Sequence, residues 1–484
     1  MSSQSTSLLS DHQDEEDNLP LKSIPGTYGW PFFGPVRDRL DYFYRQGDLG
    51  YCRAKMAKHQ STVFRANIPP GPFVSSNSRA VFLLDAVSFP ALFDTERVEK
   101  RDVLAGTYAP GLSYTGGYRV CSYLDPSEPE HATLKCWVMS VLAARHGKFI
   151  PLFQNSVGAF FKALEEKVAG EGRASLNDLM SPTVFDFVFK LLCDGKGASE
   201  TELGQKGAAS VASWLLPQLA PMIILGLRYL PNPVEDLILH TFPLPYFLIK
   251  SDYEKLYKAF YNSASTVLDE AERMGISREE ACHNIVPQRP RGHDGLVPEH
   301  DEVDRGAGEQ LHRRIRDEIR PIVKQSGGLT LSALDKMSLT KSVVYEALRI
   351  QPGVPLQYAK AKEDMIIRSH DAKFLVKKGE MLVGDQRLAT RDPKVFRDPE
   401  EFIGDRFLGA EGEKLLKYIY WSNGRETDAA TADNKACPGK DMIVLLSRVL
   451  LAEFFLRYDT FTVESSNLLR RITVTFTSLT KATS

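Results

Sequence analysis

Asn434-Lys-Ala-Cys437-Pro-Gly439-Lys-Asp-Met442-Ile-Val-Leu-Leu-Ser-Arg-Val-Leu-Leu-Ala452 joins a cysteine turn to a long apolar run. Apolar side chains cover most of the circumference from Met442 onward, which predicts a helix buried on nearly every face. Cys437 then stands just ahead of that helix's N-terminus. Unpaired N–H groups and the positive end of the helix dipole stabilise a thiolate there. Gly439 removes a side chain where something flat and large can lie close. A single thiolate offered at such a turn is what an axial ligand to heme iron requires. A lone cysteine is more often buried and unreactive, so the reading depends on what accompanies it.

Two signals precede it. Ser342-Val-Val-Tyr-Glu346-Ala-Leu-Arg349 sets Glu346 and Arg349 three apart on a predicted helix, on one face, where they can pair. Pro399-Glu-Glu-Phe-Ile-Gly-Asp405-Arg406-Phe407 puts another arginine in a loop, able to complete a Glu–Arg–Arg network. Each is weak alone, because an exposed i,i+3 pair is common. Together and in this order they answer to no general packing rule.

The rest of the chain bounds the class. Its 484 residues are 43% apolar and 10% aromatic, enough for one large core and against global disorder. Lys+Arg of 60 against Asp+Glu of 62 leaves a net charge of -2, which argues against a nucleic-acid partner. Cysteines 52, 121, 136, 193, 282 and 437 are scattered without a CxxC pair, unlike a disulfide scaffold or a zinc ribbon. MSSQSTSLLSDHQDEEDNLP has neither a basic n-region nor an apolar h-region, and its acids do not suit a transit peptide. Residues 1–18 therefore read as a disordered acidic tail and 19–484 as one domain. No run of about 18 uncharged apolar residues predicts a membrane span. The most apolar candidate, Trp214 to Leu230, carries Pro217, Pro221 and Arg228 and reads as packed against the protein, with peripheral lipid contact left open. The expected location is the cytoplasm or the periphery of a membrane.

Helical periodicity marks Ser251–Met274 and Glu309–Val323, and strand-like runs fall at 61–66, 72–84, 365–377 and 470–480. The fold class is mainly α with a small β portion. Between the helical stretches lies 286–306, VPQRPRGHDGLVPEHDEVDRG, with three prolines and no apolar stripe.

With these residues in view, the sequence resembles the cytochrome P-450 superfamily. More narrowly it is similar to the plant branch that metabolises fatty acid hydroperoxides: allene oxide synthases, hydroperoxide lyases and divinyl ether synthases. The similarity runs from about Leu19 to Ser484. It is carried by Ile24-Pro-Gly-Thr-Tyr-Gly, Ser61-Thr-Val-Phe-Arg-Ala-Asn-Ile-Pro-Pro-Gly-Pro-Phe73, Tyr123-Leu-Asp-Pro-Ser-Glu-Pro-Glu-His131, His283-Asn284 and Ser369-His-Asp. The long loop from Trp421 to Cys437 is a mark of this branch.

The resemblance implies a cytochrome P-450-like single large domain that binds heme b, with Cys437 as the proximal thiolate. Glu346, Arg349 and Arg406 would brace the heme-binding side. Lys135 would pair with a heme propionate near His131, and Asn434, Lys435 and Gly439 would flank the ligand. The implied substrate is a polyunsaturated fatty acid hydroperoxide, which already carries its oxygen. The O–O bond is cleaved homolytically, and neither O2 nor a reductase is required. This agrees with the missing Ala-Gly-x-Asp/Glu-Thr motif of O2-activating relatives and ranks a monooxygenase last. Leu104 matches a position where allene oxide synthases tend to carry Phe and the lyases and divinyl ether synthases Leu. With Ala109-Pro-Gly111 it points to a divinyl ether synthase, with hydroperoxide lyase and then allene oxide synthase as alternatives.

The largest departure from the branch is 286–306. Relatives carry an apolar helix here, over the distal heme face, with an Asn that acts on substrate. Pro287, Pro290 and Pro298 each cost about 3 kcal/mol or more inside a helix, so this stretch is expected to replace part of it. An inactive heme-binding relative is therefore the alternative from another functional class. Pro298-Glu-His-Asp-Glu-Val-Asp-Arg305 can be back-translated so that a shifted frame reads Pro-Ser-Thr-Met-Lys-Trp-Ile-Gly, text of the kind the branch carries here. Two compensating frame changes would account for it, and resequencing the transcript across codons 280–310 tests the idea. Smaller departures are Gly353 for Pro, Gly384-Asp-Gln-Arg for Gly-Tyr-Gln-Pro, and Ala436 for Gln.

Overall fold

The computed structural model describes residues 18–226, 230–286, 305–468 and 471–483. The acidic tail over 1–17 and most of the proline-rich stretch, 287–304, lie outside the described residues.

Helix Lys440–Arg457 is the axle of the helical part. Its Val444, Leu445, Leu446, Val449, Leu450, Leu451, Ala452, Phe454 and Phe455 are all buried, as an apolar circumference demands. It packs against helices Phe149–Glu171, Arg305–Ser326 and Ser338–Ile350. Arg320 closes its far end by donating to the carbonyls of Phe455 (2.9 Å) and Tyr458 (3.3 Å), groups that a helix terminus leaves without partners. A second apolar cluster gathers helices Pro129–Arg145, Leu176–Leu192, Gly207–Leu219, Lys250–Ser263, Ser265–Arg273 and Arg278–Ile285 around Trp137, Trp214 and Phe260.

The β portion forms three sheets. The largest has five strands in the order β2 (Val63–Asn67), β3 (Arg79–Leu83), β9 (Met381–Asp385), β6 (Leu356–Ala361) and β4 (Val98–Glu99). A second pairs β1 (Leu21–Lys22) with β8 (Lys373–Val376) and β7 (Met365–Arg368). The third joins β10 (Tyr458–Leu468), β11 (Arg471–Lys481) and β5 (Ala174–Ser175). The expected mainly helical fold with a small β portion is present.

Three boundaries differ from the sequence reading. The run 72–84 yields a strand only over Arg79–Leu83. Before it, Pro69-Pro70 and Gly71-Pro72 are cis peptides and Phe73 has φ 76°, a backbone no strand can use. The run 365–377 is a hairpin of β7 and β8, folded at Ser369–Ala372. The helical stretch 251–274 is two helices, interrupted at Ala264, where ψ turns to 38°. In the stretch 214–230, Trp214 and Leu215 are buried, as expected of a packed segment, while Leu216 faces out. Among the described residues no helix is long and apolar enough to cross a membrane.

Candidate functional site

Helix Lys440–Arg457 begins three residues after Cys437, which is half-buried and in no disulfide. The turn closes through Lys440 N–H to Cys437 O (3.4 Å) and Ile443 N–H to Gly439 O (3.0 Å). The expected thiol at a helix start is therefore in place. An added Cβ at Gly439 would lie 4.0 Å from Cys437 Sγ, so the glycine keeps that face of the turn low.

Glu346, Arg349 and Arg406 form the network read from the sequence. Arg349 donates two bonds to Glu346, at 2.7 and 2.8 Å, and both residues are fully buried. Arg406 Nε donates to both Glu346 oxygens at 3.0 Å. The remaining guanidinium hydrogens do not go to waste. Arg349 reaches the carbonyls of Thr390, Pro399 and Glu401, and Arg406 that of Asp398. Phe396 lies under both guanidinium groups, with ring centroid distances of 5.1 and 6.0 Å. A buried ion pair is tolerated only when its remaining polar atoms are satisfied in this way.

Beside the cysteine turn the structure gathers basic groups. Lys135, buried in helix Pro129–Arg145, donates to Asn434 Oδ1 at 2.9 Å and to the Asn434 carbonyl. Burial lowers its pKa to about 8. Lys435 donates to the carbonyls of Cys121 (3.1 Å) and Ser122 (3.0 Å). Asn434 orders the loop by accepting from the amides of Thr431 and Ala436 and donating to Ala429 O. His131 is buried, and its Nδ1 has no hydrogen-bond partner. Burial first, then repulsion from Lys435 and Lys135, lowers its pKa to about 4, so the ring is neutral near pH 7.

Sequence reading missed Lys100. It is 3% exposed, and its ammonium donates to Tyr358 O at 2.6 Å. Burial and then Lys435 depress its pKa strongly. Lys100 lies in the charged run Glu99-Lys100-Arg101-Asp102, which reads from sequence as a solvated face. Only the fold turns this one member inward.

These residues fit a heme. Buried ammonium groups that meet amide oxygens suit propionate carboxylates, and an unpaired imidazole nitrogen lies among them. A half-buried cysteine sulfur at a helix start is a soft donor of the kind heme iron takes. Leu104 lies elsewhere, half-buried beside the apolar cluster of Phe64, Phe82, Tyr108 and Val383, with Met222, Ile224 and Leu356 also packed there. Its amide donates to Tyr108 O at 3.2 Å. It is a half-buried apolar residue packed on that cluster.

A sequence model of the cytochrome P450 family matches residues 309–470. Allene oxide synthase 3 of Solanum lycopersicum is 51% identical over 471 residues, 96% of each chain. A divinyl ether synthase of the same plant is 48% identical over 474 residues, 97% of this chain and 98% of that one. Allene oxide synthase 2 of Oryza sativa subsp. japonica is 50% identical over 96% of this chain and 97% of its own length.

Proposed function

Because the chain belongs to the cytochrome P450 family, alongside allene oxide synthases and divinyl ether synthases, we propose that it rearranges polyunsaturated fatty acid hydroperoxides in oxylipin biosynthesis. It is a lyase. The observation that carries this reading is Cys437 at a helix-start turn, with buried Lys135 bonded to the loop that leads into it and buried Lys100 near Lys435 of the same loop. Heme b, bound through Cys437, supplies homolytic cleavage of the substrate's O–O bond, with no need for O2 or a reductase.

The protein's own residues supply the setting. The Glu346–Arg349–Arg406 network holds helix Ser338–Ile350 against the loops before the cysteine turn. Lys135 and Lys100 would hold the carboxylates of the heme, and His131 would donate or accept beside them according to its tautomer. Asn434 and Lys435 order the ligand loop, and Gly439 leaves it low. Leu104 packs half-buried in an apolar cluster; a Phe in its place would present a ring face to bound substrate, and Leu does not. Leu at this position favours divinyl ether as product. The 51% identity to an allene oxide synthase favours an allene oxide, and product analysis separates the two.

Peripheral contact with lipid finds support away from the Trp214–Leu230 stretch. Trp30, Phe33 and Phe73 are exposed, as are Ile238, Phe242 and Phe247. Arg39 ties the two segments together by pairing with Asp236 at 2.6 Å and donating to His240 O at 2.9 Å.

The test is turnover without electron donors. Expressed protein reconstituted with hemin is given linoleic or linolenic acid hydroperoxide with no NADPH or reductase. Rapid loss of conjugated-diene absorbance is expected, and mass spectrometry then distinguishes ether, aldehyde and ketol. Cys437→Ala is expected to abolish the thiolate-type Soret spectrum. A thiolate-type heme spectrum with no turnover would mean an inactive relative.

A further inference from the structure

The loop that ends at Cys437 is long, and its shape is held from one residue. Two backbone bridges pinch it, Tyr420 with Arg425 and Ser422 with Ala436. Gly424 packs so closely on Ala436 that an added Cβ would come within 2.7 Å of the Ala436 Cβ. At the end of this turn stands Glu426. Its amide donates to Ile419 O at 2.7 Å. Its carbonyl accepts from the ammonium of Lys440, the first residue of the helix behind the ligand. One carboxylate oxygen accepts from the Tyr345 hydroxyl at 2.7 Å. The other accepts from the Trp421 indole N–H.

Three elements therefore meet at one side chain and its carbonyl: helix Ser338–Ile350, the start of the ligand loop, and the start of helix Lys440–Arg457. Tyr345 is buried and directly precedes Glu346, so the helix braced by Arg349 and Arg406 also grips the ligand loop. Burial, with the Glu426 charge next, raises the Tyr345 pKa and keeps its hydroxyl a donor.

We propose that Glu426 is a positioning residue for the axial ligand: its carboxylate, clamped by Tyr345 and Trp421, sets the cysteine turn against the braced helix. The proposal rests on Cys437 being that ligand. A carboxylate is suited to the task because both of its oxygens accept. A glutamine amide accepts at one atom only and turns an NH2 toward the other donor.

The test reads ligation, not only activity. Holoenzyme carrying Glu426→Gln is reduced, treated with carbon monoxide, and scored for the ratio of thiolate-type to thiol-type Soret bands. The ratio is expected to fall about tenfold, the factor that corresponds to about 1.4 kcal/mol. Tyr345→Phe and Trp421→Phe, each removing one donor, are expected to move it the same way. Glu165→Gln is the control. Glu165 accepts from the Tyr458 hydroxyl at 3.0 Å and from Lys481 at 2.9 Å. These contacts lie past the far end of the 18-residue helix Lys440–Arg457, about 27 Å from the cysteine turn. Glu165→Gln is expected to lower the melting temperature and leave the ratio alone.

An E426Q ratio equal to that of the unsubstituted protein overturns the proposal, and so does an equal shift in E165Q. If E426Q does not fold, unchanged ratios in both single-donor variants overturn it. Absence of a thiolate band in the unsubstituted protein instead removes the Cys437 reading beneath it, a result visible before any variant is made.

Discussion

In the function proposed above, one side chain, Leu104, separates one product from another. It packs on an apolar cluster with Met222, Ile224 and Leu356, and no polar group of its own can direct chemistry. What differs between Leu and Phe is the π face, which attracts electron-poor centres and pairs with neighbouring rings. Leu104→Phe is expected to shift the product mixture toward allene-oxide-derived ketol, measured by mass spectrometry, with the heme spectrum unchanged. An unaltered mixture would show that the rest of the cluster, not this position, sets the outcome. Cys437 and the Glu346–Arg349 pair were legible because their chemistry is local: a turn before a helix, a spacing of three. Lys100 was not, because burial of a lysine is decided by what folds over it. The same holds for Glu426, whose two partners stand 5 and 81 residues away.

At the scale of elements, one departure from the branch explains itself. By the resemblance read from the sequence, Asp385 and Arg387 stand in place of the branch's usual Tyr and Pro. Asp385 is 1% exposed and caps the short helix Gln386–Ala389 by accepting from Arg387 N–H at 3.0 Å. Its other oxygen meets the Arg387 guanidinium at 2.6 Å, and Asp48 meets the same group at 2.7 Å. The two changes answer each other as a charge pair. Asp385→Ala is expected to lower stability by about 2 kcal/mol in chemical denaturation. That is less than the 3–5 kcal/mol of a fully broken buried pair, because Asp48 still faces the arginine. A change within 0.5 kcal/mol, which is ordinary surface behaviour, would mean the pair contributes nothing. Ala436, another departure, lies against Gly424, and the space there fits its methyl group.

Across the whole molecule, two buried histidines work against the fold in acid. His283 sits among Tyr118, Tyr253 and Tyr257, with ring centroids 5.5, 5.8 and 4.6 Å away. The Tyr253 hydroxyl lies 2.5 Å from its Nδ1, as a donor to a neutral ring. Burial pushes its pKa from 6.5 down to about 4, and burial does the same to His131. Between those values the unfolded chain takes protons that the folded one refuses, so stability falls as the pH drops. His370 works the other way. Its bond to Asp392 at 2.6 Å raises its pKa, so its contribution is full below 6.5 and is lost as pH climbs through the raised value. The melting temperature is expected to fall between pH 7 and pH 5, with His283→Gln flattening that limb. A limb equally steep in the variant would assign the loss to other groups.

Read alone, the sequence established the helical class, the cysteine turn ahead of a buried helix, the Glu–Arg–Arg brace and the branch of the superfamily. Those signals are either periodic or local, and a chain carries them before it folds. The tertiary structure decided which strand-like runs became strands, since sheet pairing joins residues hundreds apart, such as Leu83 with Gly384. It also decided which charges are interior. Lys100 among its charged neighbours looks like a surface residue until helices and sheets close around it, and Glu426 in its loop gains its partners only when helix Ser338–Ile350 is folded beside it. Such contacts are a property of the assembled fold, and no stretch of text records them.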